Sequence, residues 1–366
     1  MRGGEKCLEV FCELFPDADV YTLLHVKGSV SASIEKHPIK ISFIQRLPYS
    51  SRYYRYCLPL FPKAIETFNL NGYDLVFSSS HCVAKGVRTS PLTCHISYIH
   101  TPMRYIWDQY EAYFGNGRSG WMVRKGMHLL RPWLQRWDVA SSQGVYAMIA
   151  TSKHVADRIW RYYGRRGDVI YPPVDFQAFT ISKKDEGFYL IVTALAPYKR
   201  VDLAIEVFNR LKLPLKIIGI GPGEAYLKQL AGPTVEFLNW RADSEVREAY
   251  AACRAVIFPG EEDFGIVPLE AMASGKPVIA YGRGGVLETV VPLQNTEGKP
   301  PTGIFFYEQT PAALIEAIHH FESHKNLFDP VQIREHVRPF DRHQFKERIH
   351  QYIQVKFKEF KETHYA

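Results

Sequence analysis

Two carboxylates at a loop-to-helix junction are the residues of this sequence best placed to do chemistry. Glu262 and Glu270 lie in AVIFPGEEDFGIVPLEAMASGKPVIA, residues 255–280. Ala255–Phe258 has the apolar, β-branched character of a buried strand. Pro268 suits the first turn of a helix, and Gly275 suits its end. Glu270 is then expected in the first turn, where the helix dipole favours a carboxylate. The backbone N–H groups of Gly265, Ile266 and Val267, just after Phe264, are expected at the same helix N-terminus. That is a diphosphate cradle at the carboxyl end of a parallel strand. Taken alone, Glu270 reads equally well as a capping glutamate. The two carboxylates could also serve as the acid and base of a glycoside hydrolase or phosphorylase.

Other segments carry polar or glycine-rich groups at strand ends. In TALAPYKRVDLAIEVFNRL, residues 193–211, Lys199 and Arg200 precede a helix, where positive charge is disfavoured unless an anion is bound there. In ISYIHTPMRYIWDQY, residues 96–110, His100 ends a buried strand and Arg104 follows it. Gly219 and Gly221 begin a dinucleotide-like GxG, but Glu224 stands where the third glycine belongs, so the fingerprint is weak. Trp240 follows the next strand and reads either as a base-flanking ring or as core. Gly284 and Gly285 form another glycine-rich turn, with Glu288 on the helix after it.

These segments together resemble the retaining GT-B glycosyltransferases of family 4, the glycosyl transferase group 1 family. The likeness is closest to its O-antigen and exopolysaccharide mannosyltransferase branch. It rests on Glu262 and Glu270 with seven residues between them, on the FG loop, on Lys199 and on the HTPMRY context of His100. The resemblance implies two Rossmann-like doubly wound domains facing a cleft, and transfer of a sugar, mannose favoured, from a nucleotide-sugar such as GDP-mannose. It implies that Glu262 and His100 face the transferred sugar and that Glu270 binds the ribose hydroxyls. Lys199, with Phe264, Gly265, Ile266 and Val267, would hold the donor, and Trp240 would flank its base. Where the family carries an arginine this chain has Ala194, leaving Arg200 as the substitute. Arg104, Gly3 and Gly4 would approach phosphate or acceptor. The implied acceptor is a polyprenyl-diphosphate-linked glycan, and the departing phosphate would take the acceptor proton. No DxD motif stands at a strand end, so neither metal nor cofactor is expected. A non-catalytic nucleotide-sugar or membrane-binding module is the reading from another class.

The elements that must position these groups alternate helix and strand along 366 residues, of which 46% are hydrophobic and 23% charged. That is a globular chain of two-domain length. The expected organisation is an N-terminal acceptor domain over 1–172, a C-terminal nucleotide-sugar domain over 173–340, and a tail helix over 341–366 packing back across the domains. Expected strands are Val20–Leu24, Asp74–Phe77, His95–Ile99 and Ala147–Ala150 in the first half. In the second half they are Phe188–Thr193, Leu215–Ile218, Val235–Leu238, Ala255–Phe258 and Pro277–Ala280. A small-residue loop is expected at residues 78–80.

Net charge is +7, which suits an anionic partner. No zinc-finger, RNP-type or KH-type pattern supports nucleic acid. The six cysteines are scattered and contain no CxxC, so they read as reduced thiols. No apolar run reaches membrane-spanning length, and a cytoplasmic protein is expected. Residues 117–138 interleave Trp121, Trp133 and Trp137 with Arg118, Arg124, Lys125, Arg131 and Arg136. That pattern suits the headgroup region on the inner face of the cell membrane, or an ordinary helix pair packed on the domain.

One oddity remains at the N-terminus. Cys7, Val10, Phe11 and Leu14 have helical spacing, predicting a helix from Glu5 to Phe15 with Gly3-Gly4 as a turn before it. Such a turn normally leaves a strand, and none precedes it. The first strand of a doubly wound sheet is central. Its absence is expected to leave neighbouring strands unpaired, with Met1 an internal methionine of a longer protein.

Overall fold

The computed structural model describes residues 3–115, 120–182, 184–296 and 298–364. The chain forms two compact units, Met1–Pro173 with His343–Ala366, and Val174–Arg342.

In the first unit, helix α1 (Gly3–Leu14) is followed by two short strands, β1 (Val20–Thr22) and β2 (Ile39–Ile41), which pair with each other in parallel. A second parallel sheet has the order β3-β4-β5-β6, formed by Leu75–Ser80, Cys94–Ile99, Ala147–Ala150 and Asp168–Val169. β4 reads CHISYI and is buried at every position, as expected of a strand covered on both faces. On one face α1 brings Cys7, Val10 and Phe11 against Ile96 and Tyr98. On the other face lie Ile44, Phe61, Met103 and Leu134. Leu134 belongs to α2 (Trp121–Ser142), a long helix with Pro132 inside it. Helix α3 (Lys153–Tyr163) starts where Ser152 Oγ accepts the Val155 N–H, and Gly164 closes it at φ +63°.

Two local expectations are corrected here. The helix begins at Gly3 rather than Glu5, so Gly3 and Gly4 are helical and not a turn. A Cβ at Gly4 would stand 3.6 Å from His100 Nε2, so a small residue suits this close passage. Residues 78–80 continue strand β3 instead of forming a loop. Ser78 Oγ donates to Ser97 Oγ at 2.8 Å and lies 2.8 Å from His95 Nε2, so paired hydroxyls carry the strand through a polar run.

The second unit has one six-stranded parallel sheet. Its strands are β7 (Tyr189–Val192), β8 (Leu215–Ile218), β9 (Val235–Asn239), β10 (Ala255–Phe258), β11 (Val278–Tyr281) and β12 (Gly303–Phe306). Their order, β12-β11-β10-β7-β8-β9, is doubly wound with the reversal between β7 and β10. Those two strands pair through Ala255↔Tyr189 and Val256↔Leu190 at their beginnings. Helix α4 (Val201–Leu211) follows β7, and helix α5 (Ile266–Ala273) follows β10. Helix α4 buries Leu203, Ala204, Val207 and Phe208, an i, i+1, i+4, i+5 stripe facing the sheet.

The last helix, α6 (Arg342–His364), returns to the first unit. It buries Phe345, Ile349, Ile353 and Phe360 in the same core cluster as α1. The six cysteines are all free thiols, and Cys7, Cys12, Cys94 and Cys253 are buried.

Candidate active site

In the second unit, the sequence-predicted groups gather on the loops leaving β7 and β10. After β7 the chain makes one 3-10 turn, Pro197–Lys199, and Arg200 takes the left-handed conformation at φ +52° before α4 begins. After β10 the chain passes Pro259 and Gly260 to Glu262. Lys199 Nζ and the Glu262 carboxylate form an ion pair, with side chains 12% and 21% exposed. The Lys199 ammonium also lies 5.1 Å from the centre of the Tyr198 ring. Two loops that meet at the topological switch point thus present one cation and one anion side by side, where open α/β sheets bind ligands.

Glycine makes this approach possible. A Cβ on Gly260 would stand 2.9 Å from Lys199 Cα, so only a bare backbone lets the two loops close. Gly285 donates its N–H to the Glu262 carbonyl at 2.9 Å, and Gly284, at φ +82°, pairs with Glu262 in an isolated parallel bridge. A Cβ on Gly285 would meet the Asp263 oxygen at 2.3 Å and Phe264 Cα at 2.4 Å. The GRGG turn is therefore a clamp on the 262–264 backbone. The GxG after β8 plays the same part for the β7 loop: a Cβ on Gly219 would overlap the Thr193 oxygen at 1.7 Å, and one on Gly221 would meet Leu195 at 2.6 Å. What resembled a nucleotide fingerprint is a close backbone contact.

Arg200 does not hang free at the helix start. Its Nη1 donates to Gln309 Oε1 at 3.2 Å, its Nε contacts Asp202 Oδ1 at 3.3 Å, and Gln309 Nε2 donates to the Pro259 carbonyl at 2.8 Å. Gln309 thus ties Arg200 to the loop that carries Glu262.

Helix α5 begins at Ile266 with Gly265 as its left-handed cap, φ +88°. The leading N–H groups of a helix have no acceptor within it, which leaves those of Gly265, Ile266 and Val267 directed outward along the axis. Pro268 has no N–H to add. Glu270 is the fifth residue of this helix, in the second turn and not the first as expected. The shift follows from the left-handed Gly265, which sets the start of the helix. Tyr250 Oη donates to Glu270 Oε2 at 3.1 Å. Burial holds the Tyr250 phenol well above its ordinary pKa, with the Glu270 charge adding to the effect, so it stays a neutral donor. Phe264 is buried against Phe340, with ring centres 6.2 Å apart, so its side chain belongs to the core. Trp240 is 69% exposed and is not core. Glu288 ends a 3-10 turn, Gly285–Glu288, rather than sitting on a helix.

In the first unit, His100 follows the carboxyl end of β4. Its Nε2 lies 2.8 Å from Ser79 Oγ, and the edge of its ring meets Tyr98 at a centroid distance of 5.2 Å. Gly3 and Gly4, at the start of α1, are beside it. Arg104 is half-buried, and its carbonyl accepts the Gln109 N–H at 2.8 Å. On α2, Trp121, Met122, Leu129 and Trp133 are exposed, together with Lys125 and Arg136. Gly117 and Arg118 lie outside the described residues.

Ser79, Tyr250 and Gln309 escaped the sequence reading. Ser79 was hidden in a run taken for a loop, and the other two sit on helix and loop positions with no local signal. Each is found only through its partner.

Residues 175–337 match the family model described as glycosyl transferases group 1. A GDP-mannose-dependent alpha-mannosyltransferase of Mycobacterium tuberculosis is 37% identical over 161 residues, 40% of this chain and 41% of that protein. O-antigen chain mannosyltransferase C of Escherichia coli is 31% identical over 102 residues, 26% of this chain and 28% of that protein. The matched region spans less than half the length of the curated relatives, 42% and 45% for two others of them. Among solved structures, Anabaena Alr3699/HepE in complex with UDP superposes with a TM-score of 0.69 at 18% identity, covering 97% of this chain and 96% of that one. That likeness shows the fold, GT-B with two parallel-sheet domains.

Proposed function

Residues 175–337 form a glycosyl transferases group 1 domain, and from that premise we propose that the chain is a retaining glycosyltransferase. It moves a hexosyl group from a nucleoside-diphosphate sugar to an acceptor in cell-surface glycan synthesis. The observation that carries this reading is the meeting of Lys199 and Glu262 at the switch point between β7 and β10.

The chemical problem is charge. A nucleoside diphosphate must leave while positive charge develops at the anomeric carbon. In this reading Lys199 takes the diphosphate, and the N–H groups of Gly265, Ile266 and Val267 meet its oxygens at the N-terminus of α5. Arg200, held by Gln309, adds the second positive charge that the chain lacks at Ala194. Glu262 accepts hydrogen bonds from sugar hydroxyls, and Glu270, braced by Tyr250, accepts from the ribose. In the same reading His100, braced by Ser79, is assigned to the sugar and Arg104 to the acceptor. The departing phosphate oxygen takes the acceptor proton as the new glycosidic bond forms. No cofactor enters this scheme.

Mannose from GDP-mannose is the favoured donor, because two of the curated relatives are mannosyltransferases, one of them GDP-mannose-dependent. The favoured acceptor is a polyprenyl-diphosphate-linked glycan met at the inner membrane face. The exposed Trp121, Leu129 and Trp133, interleaved with Lys125 and Arg136, suit a headgroup boundary. Among the described residues no helix is long and apolar enough to cross a membrane.

The test is a thermal-shift screen of GDP-mannose, UDP-glucose and other sugar nucleotides. It is followed by transfer to a lipid-diphosphate-linked acceptor, with the anomeric configuration read by NMR. Stabilisation by one sugar nucleotide and a product of retained configuration are expected. Absence of any sugar-nucleotide binding, or an inverted product, overturns the reading.

A further inference from the structure

Resting on the donor site proposed above, we infer that His336 and Phe340 are positioning residues for that site, holding the two flanks of the 262–265 loop from one short segment of chain. The segment is the helix Pro330–Val337 and the 3-10 turn Arg338–Phe340 that follows it. Asp329 Oδ1 accepts the Val331 N–H and starts the helix, and Ile333 and Val337 bury its inner face. The segment runs antiparallel to α5. Its start meets the end of α5, where a Cβ on Gly275 would stand 2.9 Å from Pro330. Its end meets the start of α5, where Phe340 packs on Phe264, the residue before the left-handed Gly265.

Both ends of α5 are therefore held from one element. At the far end Arg334 Nη1 donates to the Ala273 carbonyl and to the Phe179 carbonyl, the latter at 2.6 Å, while Nη2 donates to the Phe176 carbonyl at 3.1 Å. The last carbonyls of a helix have no donor within it, and a cation suits them. At the near end Phe264 is 4% exposed, with its ring centre 6.2 Å from that of Phe340. Removing the Phe340 ring takes away packing directly under the residue that leads into the Gly265 cap, and so frees the N–H groups of α5 to lose their aim.

His336 acts on the other flank. Its Nε2 lies 2.7 Å from the carbonyl of Thr289, which is fully buried. A carbonyl only accepts, so Nε2 carries the proton and donates. Thr289 and Val290 donate their N–H groups to the Val286 carbonyl at 3.3 and 3.0 Å, closing the turn. The opposite end of the same turn is Gly285, whose N–H holds the Glu262 carbonyl. One turn of chain thus joins His336 to the backbone of Glu262. The rings of His336 and Phe340, four residues apart, have centres 6.4 Å apart, so each limits the movement of the other. The segment is anchored in turn where the ends of the second unit meet: the Phe340 carbonyl accepts the Val174 N–H, and the Val174 carbonyl accepts the Arg342 N–H, both at 3.0 Å.

The experiment uses the full chain carrying His336→Phe, His336→Gln or Phe340→Ala. Phe321→Leu is the control, a core change where Phe321 packs on Tyr189 and Phe328 instead. Amide exchange over residues 262–267 and 282–290 is read without ligand. Donor KM and kcat are read with the sugar nucleotide found by the thermal-shift screen. His336→Phe is expected to speed exchange over 282–290 about tenfold and to lower kcat about 10- to 100-fold through Glu262, with KM near wild type. His336→Gln keeps an N–H donor and is expected to restore most of both. Phe340→Ala is expected to speed exchange over 262–267 and to raise donor KM about tenfold, with a smaller effect on kcat. Wild-type exchange and kcat in His336→Phe overturn the role of His336. Wild-type exchange and KM in Phe340→Ala overturn that of Phe340, and equal changes in Phe321→Leu overturn both. Should His336→Phe or Phe340→Ala fail to fold, His336→Leu and Phe340→Leu replace them under the same criteria. Should wild type bind no sugar nucleotide, the proposed function fails on that result, and exchange alone decides the positioning: faster exchange in the variants but not in the control supports it, and wild-type exchange overturns it.

Discussion

Lys199 and Glu262 neutralise each other at the switch point of the second sheet. A diphosphate that takes Lys199 does so in competition with Glu262, and in the proposed reaction the carboxylate is then turned to the sugar. Glu262→Gln is expected to abolish transfer while binding the bare nucleoside diphosphate at least as tightly as wild type. Lys199→Ala is expected to weaken that binding by about 10- to 100-fold, the worth of a hydrogen bond to a charged group. Titration calorimetry with GDP and UDP checks both. Weaker nucleotide binding by Glu262→Gln would show that the carboxylate holds the nucleotide directly.

The glycine clamp predicts where small substitutions hurt. Gly285→Ala forces a methyl within 2.4 Å of the 263–264 backbone. It is expected to cost about 1–3 kcal/mol of stability and to displace Glu262. Gly126→Ala is the control: it lies on α2 with nothing within 4 Å. It is expected to gain up to about 1 kcal/mol, because alanine is the better helix former. Denaturant melts and transfer rates of the two variants distinguish the effects.

His95 makes the first unit acid-sensitive. Burial pushes its pKa down from 6.5 to about 4, with the Lys85 and Arg165 charges adding to the shift, and Ser78 lies 2.8 Å from Nε2. The unfolded chain therefore takes up the proton first. The stabilisation is whole above pH 6.5 and is lost as the pH falls towards 4, for a total of about 3 kcal/mol. Unfolding free energy measured between pH 7 and 4 should fall in wild type and fall less in His95→Asn.

Lys85 and Asp138 form a buried ion pair at 2.6 Å, their side chains 1% and 0% exposed. Trp107 Nε1 and Tyr163 Oη also donate to Asp138, at 2.8 and 2.9 Å. Lys85→Met leaves a carboxylate with neutral donors only and is expected to cost about 3–5 kcal/mol. Lys85→Met with Asp138→Asn should recover part of that loss, because the charge leaves while an acceptor for Trp107 and Tyr163 remains. Chemical denaturation of the single and double variants reads it.

Much of the second unit was legible because its rules are local. Apolar β-branched runs between glycine and proline made Leu215–Ile218 and Ala255–Phe258 readable as strands to the residue. The amphipathic period did the same for Val201–Leu211. What escaped depends on distant partners or on backbone sign. Glu270 was misplaced because the left-handed Gly265 starts the helix at Ile266, earlier than a proline rule suggests. Residues 78–80 looked like a loop by composition, yet Ser78 finds Ser97 on the next strand. The tie between Arg200 and Gln309 crosses more than a hundred positions of sequence. The candidate donor residues were legible as types at strand ends, but the close backbone contacts at Gly219, Gly260 and Gly285 that let the loops touch were not.

The C-terminal helix also sets the order in which this protein can mature. Val174–Arg342 is one uninterrupted stretch and can close its sheet as soon as it has left the ribosome. The first unit, although translated earlier, cannot. Cys7, Val10 and Phe11 share their core with Phe345, Ile349 and Ile353, which are made some 330 residues later. Until then the nascent N-terminal half presents an apolar flank without its cover. The half made first is finished last.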